Sequence, residues 1–107
     1  MTTFDERERA FESAYAHDQE LQFKVAARRN RLVAGWAAER MGLSPTEADG
    51  YARDVIHADF EEGGDEAVMR KITGDLTSAG VDVPDAELRD VIAAKSVEAR
   101  RHYMGEV

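Results

Sequence analysis

At 107 residues, with 43% of them apolar, the chain is sized for one small domain with a compact core. It has no cysteine, which excludes a disulfide framework, thiolate catalysis and a thiolate zinc site. A net charge of −8 disfavours nucleic acid and anionic membranes as partners, and no apolar run approaches the ~20 residues of a bilayer span. The expectation is a soluble, cytoplasmic protein.

The charge is unevenly placed. Residues 1–20 carry six acidic and two basic side chains, residues 21–41 five basic and one acidic, and the remainder fifteen acidic and seven basic. Only Lys24, Arg28, Arg29 and Arg31 make a basic patch.

The first segment, TFDERERAFESAYAHDQELQF, puts Phe4, Phe11 and Tyr15 on one helical face among charged and small residues. That stripe is thin for a core, and an isolated helix of this length is marginal in water. Two readings stand side by side: a helix folded back on its own protein, and a helix ordered by a partner that covers the rings. The second divides the chain into a mobile segment at 1–19, helical when bound, and a four-helix bundle at 20–107.

From Glu20 a fuller stripe begins, with Leu21, Val25, Leu32, Val33, Trp36, Ala37 and Met41, and Gly42 supplies a stop. Gly35 inside this helix costs about 1 kcal/mol relative to Ala, and marks either a close helix approach or tolerance. In GLSPTEA, Ser44 is the cap, Pro45 the first helical residue and Glu47 the return half of a capping box. The helix so started carries Tyr51, Ala52, Val55, Ile56 and Phe60 inward and ends at Gly63-Gly64. Asp65 is the expected cap of the next, with Val68, Met69, Ile72 and Leu76 buried and Gly80 at its end. VDV at 81–83 alternates like a strand but is too short for one. Pro84 and Asp85 open the last helix, striped by Leu88, Val91, Ile92, Lys95 and Ala99. Connections of two to five residues make successive helices antiparallel neighbours. The predicted fold is all-α: a compact bundle of about four helices with a mobile N-terminal segment. Trp36, Tyr51, Phe60, Ile72 and Ile92 are the expected core.

Catalytic and metal chemistry find no support. With Asp59 as the first position of a calcium loop, Gly64 reaches the sixth, but Arg70 stands at the twelfth, where a carboxylate is required. His17, His57 and His102 are scattered, and no phosphate loop, dinucleotide fingerprint or nucleophile elbow occurs. The basic patch has three readings: a solvated helix face, a phosphate-binding set of arginine forks, and a docking surface for an acidic protein.

The run FDERERAFESAYAHDQELQFKVAARRNRLVAGWAAERMGLS resembles the opening of the zeta subunit family, the inhibitors of alphaproteobacterial F-type ATP synthase. The likeness continues through EADGYARDVIHADFEEGGDEAVMRKI and GVDVPD. It departs from the pattern at Ala14, Tyr15, Gln19 and Pro84, and fades beyond Asp90. The resemblance implies a non-enzymatic regulatory subunit, peripheral to the inner-membrane enzyme. Its N-terminal helix would enter a catalytic interface between the alpha and beta subunits, reach the gamma shaft and block rotation in the hydrolysis direction. Carried over, the partner-binding residues are Phe4, Arg7, Glu8, Phe11, Glu12, Tyr15, His17 and Asp18. The alternative is a regulatory module whose bundle senses ADP or ATP near Arg28, Arg29 and Trp36.

Overall fold

The computed structural model describes the backbone of residues 3–104 and the side chains of residues 18–104. Four helices follow in order: α1 (Thr3–Arg40), α2 (Pro45–Glu62), α3 (Asp65–Ser78) and α4 (Asp85–Met104). No strand is present among the described residues.

Each connection follows from local chemistry. Gly42 adopts φ 72°, a left-handed value that suits glycine, and two reversed hydrogen bonds close α1, from Gly42 N–H to the Glu39 carbonyl and from Leu43 N–H to the Ala38 carbonyl. The same pair of bonds closes α3, from Gly80 N–H to Thr77 and from Val81 N–H to Leu76. The capping box of α2 forms as expected. Ser44 Oγ accepts the Glu47 N–H at 3.2 Å, and Glu47 Oε1 accepts the Ser44 N–H at 2.8 Å. The Ser44 backbone N–H first, and the nearby Ser44 hydroxyl second, hold the Glu47 carboxyl below its ordinary range.

VDV serves as the α3–α4 connection. Its alternation is real, since Val81 and Val83 pack against the core while Asp82 is exposed.

α1 is the longest helix at 38 residues, roughly 57 Å at 1.5 Å per residue. Its C-terminal half is the spine of the bundle. Val33, Ala34 and Ala37 are fully buried, and Ala38 is nearly so. They meet Val55 of α2, Val68, Ile72 and Leu76 of α3, and Leu88 and Ile92 of α4 in one cluster. Small residues, among them Ala52, Ala67 and Ala99, let the helices approach closely. Trp36 and Tyr51 pack at the edge of the core rather than inside it.

Two expectations are corrected. Phe60 is 74% exposed and no part of the core: it sits in the last turn of α2, beyond the cluster, where its ring meets Phe23 instead. Asp65 does not cap α3. It is the first helical residue, Gly64 holds the cap position, and no side chain bonds the helix start. The Asp65 carboxylate takes an arginine instead.

Candidate interaction surfaces

That arginine is Arg29, and it organises the point where α1 enters the bundle. Its Nη1 donates to Asp65 Oδ1 at 2.5 Å, while Nε and Nη2 both donate to Asn30 Oδ1, at 3.0 and 2.7 Å. Nη2 also lies 3.5 Å from Asp59 Oδ2. Asn30 Nδ2 donates to that same Asp59 oxygen at 2.7 Å, and Asp59 Oδ1 accepts the Gly64 N–H at 3.0 Å. Arg29 and Asn30 are 8% and 1% exposed, so the node is buried from the α1 side and nearly satisfied. It fastens α1 to the tight turn between α2 and α3, where Gly63 and Gly64 have φ 76° and 96°.

N-terminal to this node, the described side chains of α1 become progressively more exposed. Leu21 and Gln22 still line a groove with Met104 of α4. Asp18, Gln19 and Glu20 are exposed, and Glu20 pairs with Lys24 at 3.2 Å along the helix surface. Of the partner-binding residues expected from the sequence, Asp18 lies on this exposed stretch. Phe4, Arg7, Glu8, Phe11, Glu12, Tyr15 and His17 lie outside the described side chains, on the leading turns of α1.

The basic patch does not act as a unit. Lys24 is engaged with Glu20, Arg29 faces inward, and Arg28 is half-buried with its Nε unpartnered among the described residues. Arg31 is exposed. The residues of the expected nucleotide set, Arg28, Arg29 and Trp36, differ in their surroundings. The groove beside Arg29 includes neither Arg28 nor Trp36, and Trp36 is stacked by Arg40, whose guanidinium carbon lies 4.8 Å from the ring centroid.

A second surface was not legible in the sequence. Between α1 and α2 lies a cleft of about 530 Å³, with Phe23 and Phe60 at one end and Ala26, Ala27 and Ile56 along it. The two rings are 57% and 74% exposed and meet edge to face at 6.4 Å. Arg31, Arg53 and His57 stand on the rim. His57 Nε2 lies 3.0 Å from Glu61. Neither Phe23 nor Arg53 belongs to an apolar stripe, so only their approach in space brings them together.

On the opposite side of α2, Tyr51 donates its hydroxyl to Asp75 at 2.8 Å, and Lys71 reaches the same carboxylate oxygen at 3.1 Å. Burial first, and the Asp75 carboxylate second, push the Tyr51 hydroxyl well above its ordinary range. This triad is a structural tie between α2 and α3. Among the described residues no group of His, Asp and Glu is arranged to hold a metal, and no helix is long and apolar enough to cross a membrane.

The fold is a four-helix scaffold whose first helix, at 38 residues, is the longest and is fastened to the α2–α3 turn through Arg29 and Asn30. The family follows from comparison. The model of the ATPase inhibitor subunit zeta family matches residues 1–102, and the chain belongs to that family. A protein solved by solution NMR is 45% identical, with a TM-score of 0.69, covering 81% of this chain and 99% of that one. No curated protein matches. Membership makes the chain a regulatory, ATPase-inhibiting subunit, and its partner the ATP synthase.

Proposed function

We propose that the leading part of α1 is the inhibitory element, and that it enters a catalytic interface between the alpha and beta subunits of the F-type ATP synthase head, against the gamma shaft. Rotation in the hydrolysis direction closes that interface on the helix and is arrested. Rotation in the synthesis direction opens it and releases the helix. The difference in grip between the two states is what gives the block its direction.

The observation that carries this reading is the disposition of α1. One helix runs from Thr3 to Arg40; among its described side chains the fully buried ones lie from Asn30 to Ala38, and Asp18–Glu20 are exposed. A helix of ~20 residues is about 30 Å long, enough to cross a subunit cleft. A pawl must also be held by something stiff. The Arg29–Asn30–Asp59–Asp65 node supports that role, since it fixes α1 to α2 and α3 at the first clamped turns. Residues 20–107 are then the handle and residues 1–19 the working end, with Phe4, Phe11 and Tyr15 as anchoring rings and Arg7, Glu8, Glu12, His17 and Asp18 as polar contacts.

The test is hydrolysis and synthesis by the cognate enzyme, each with and without the purified chain. Hydrolysis inhibited with synthesis largely spared is the expected result. Equal inhibition of both directions rejects the one-way mechanism.

A further inference from the structure

The Phe23–Phe60 cleft is unused by the mechanism above, and its chemistry is specific. Phe23 and Phe60 are among the exposed large apolar side chains, and they are brought together from α1 and α2 at one mouth. Exposed rings that meet across a cleft are a feature of contact surfaces more than of solvated faces. The rim supplies the cations. Arg31 and Arg53, like Arg28, Arg100 and Arg101, pair with no carboxylate among the described residues, and both line this cleft. The carboxylate that lines it, Asp59, is engaged by Asn30, Arg29 and the Gly64 N–H. In a protein of net charge −8, two uncommitted guanidinium groups beside two uncovered rings are complementary to an acidic surface that carries an apolar side chain.

Position selects the owner of that surface. Phe23 lies four residues beyond Gln19 on the same helix, about 6 Å along its axis. A subunit that grips α1 up to residue 19 must present its outer edge to Phe23, and through it to Phe60, Arg31 and Arg53.

From this we infer that the cleft between α1 and α2 is a second docking site, which takes an acidic, apolar-tipped segment of the same ATP synthase subunits that receive the N-terminal helix. The inference rests on the inhibitory reading of α1 and adds to it: the helix supplies the block, and the cleft prolongs the stay. Apolar anchoring at the rings slows dissociation, and the two arginines speed encounter in a salt-dependent way.

The experiment measures association and dissociation of the intact chain on the immobilised catalytic head, for wild type, Phe60→Ala, the double variant Arg31→Glu/Arg53→Glu and the double variant Arg31→Lys/Arg53→Lys. All altered side chains are exposed, and far-UV circular dichroism checks the fold. Expected are a tenfold or greater rise in dissociation rate for Phe60→Ala, a tenfold or greater fall in association rate with loss of its salt dependence for the glutamate variant, and near-wild-type behaviour for the lysine variant. Wild-type kinetics in Phe60→Ala and in the glutamate variant overturn the inference. If deletion of residues 2–19 abolishes inhibition in that same case, the inhibitory reading survives alone. If the deletion leaves inhibition intact while the cleft variants bind more weakly, the inhibitory reading falls and the docking site stands. An intact chain that does not bind the head rejects both. A dimer in sedimentation that Phe60→Ala disperses assigns the cleft to a second copy and overturns the inference.

Discussion

Arg29 and Asp65 are 36 residues apart in sequence, and their side chains meet at 2.5 Å across the turn between α2 and α3. This contact and the neighbouring bonds to Asn30 and Asp59 convert a helix that outruns its bundle into one held firmly at its point of entry. Arginine suits the position because its planar fork bonds Asn30 twice while reaching two carboxylates. Replacing it with alanine strands the largely buried Asp59 beside Asn30. Arg29→Ala is expected to lose about 3 kcal/mol of stability in urea denaturation. Arg29→Lys should recover only part of it, since an ammonium lacks the fork. Asp65 is 64% exposed at its side chain, and Asp65→Asn should cost less than about 1 kcal/mol. Equal losses for Arg29→Ala and Asp65→Asn contradict a node centred on Asp59.

Ile72 and Phe60 were equal members of the core by sequence, and the structure separates them. Ile72 is fully buried among α1, α2 and α4, and Ile72→Ala is expected to cost about 2–5 kcal/mol through lost transfer energy and the cavity left behind. Phe60→Ala removes an exposed ring and should change stability by roughly 0.5 kcal/mol or less. Thermal melting of the two variants side by side checks the contrast.

Much of the fold was legible because it is written in short-range chemistry. The Ser44–Pro45–Glu47 cap and the glycine stops at 42 and 80 depend on residues a few positions apart. The stripes of α3 and α4 depend on one helical period. Phe60 departs from the pattern because periodicity gives a direction around the helix but not where the partner helices end. Asp65 has the local meaning of a cap, a carboxylate before an apolar run, and nothing in sequence announces an arginine 36 positions upstream. The cleft is invisible in sequence for the same reason, since Phe23, Arg31, Arg53 and Phe60 share no local pattern. The proposed inhibitory segment rests on resemblance to a family, a kind of information that spacing alone does not hold.

The capping box predicts a pH dependence. The Glu47 carboxyl lies lower in the folded chain than its ordinary value of 4.5, so its ionised form is favoured by folding. The stabilisation is present above that value and is lost as pH falls through the lowered folded one. In wild type, the cap contribution should therefore fade from pH near 4.5 downward. In Glu47→Gln, which cannot ionise, the difference from wild type should be largest near pH 7 and shrink in acid. Melting temperatures of both chains across that range measure it, and a gap that widens in acid has the wrong sign for this account.

Gly35 settles as tolerance rather than close packing. It lies exposed on α1, and an added Cβ would meet nothing within 4 Å. Gly35→Ala is expected to stabilise the chain by about 1 kcal/mol through helix propensity alone. Destabilisation in urea denaturation would reveal a neighbour at this surface.

The division of α1 into a working end and a clamped end is tested most directly by ATP hydrolysis of the cognate synthase in the presence of a chain lacking residues 2–19, with circular dichroism of that chain as the control for folding. The account predicts an intact helical bundle with no inhibition, and for Phe11→Ala in the full chain an affinity loss of about 2 kcal/mol. Undiminished inhibition by the shortened chain contradicts it.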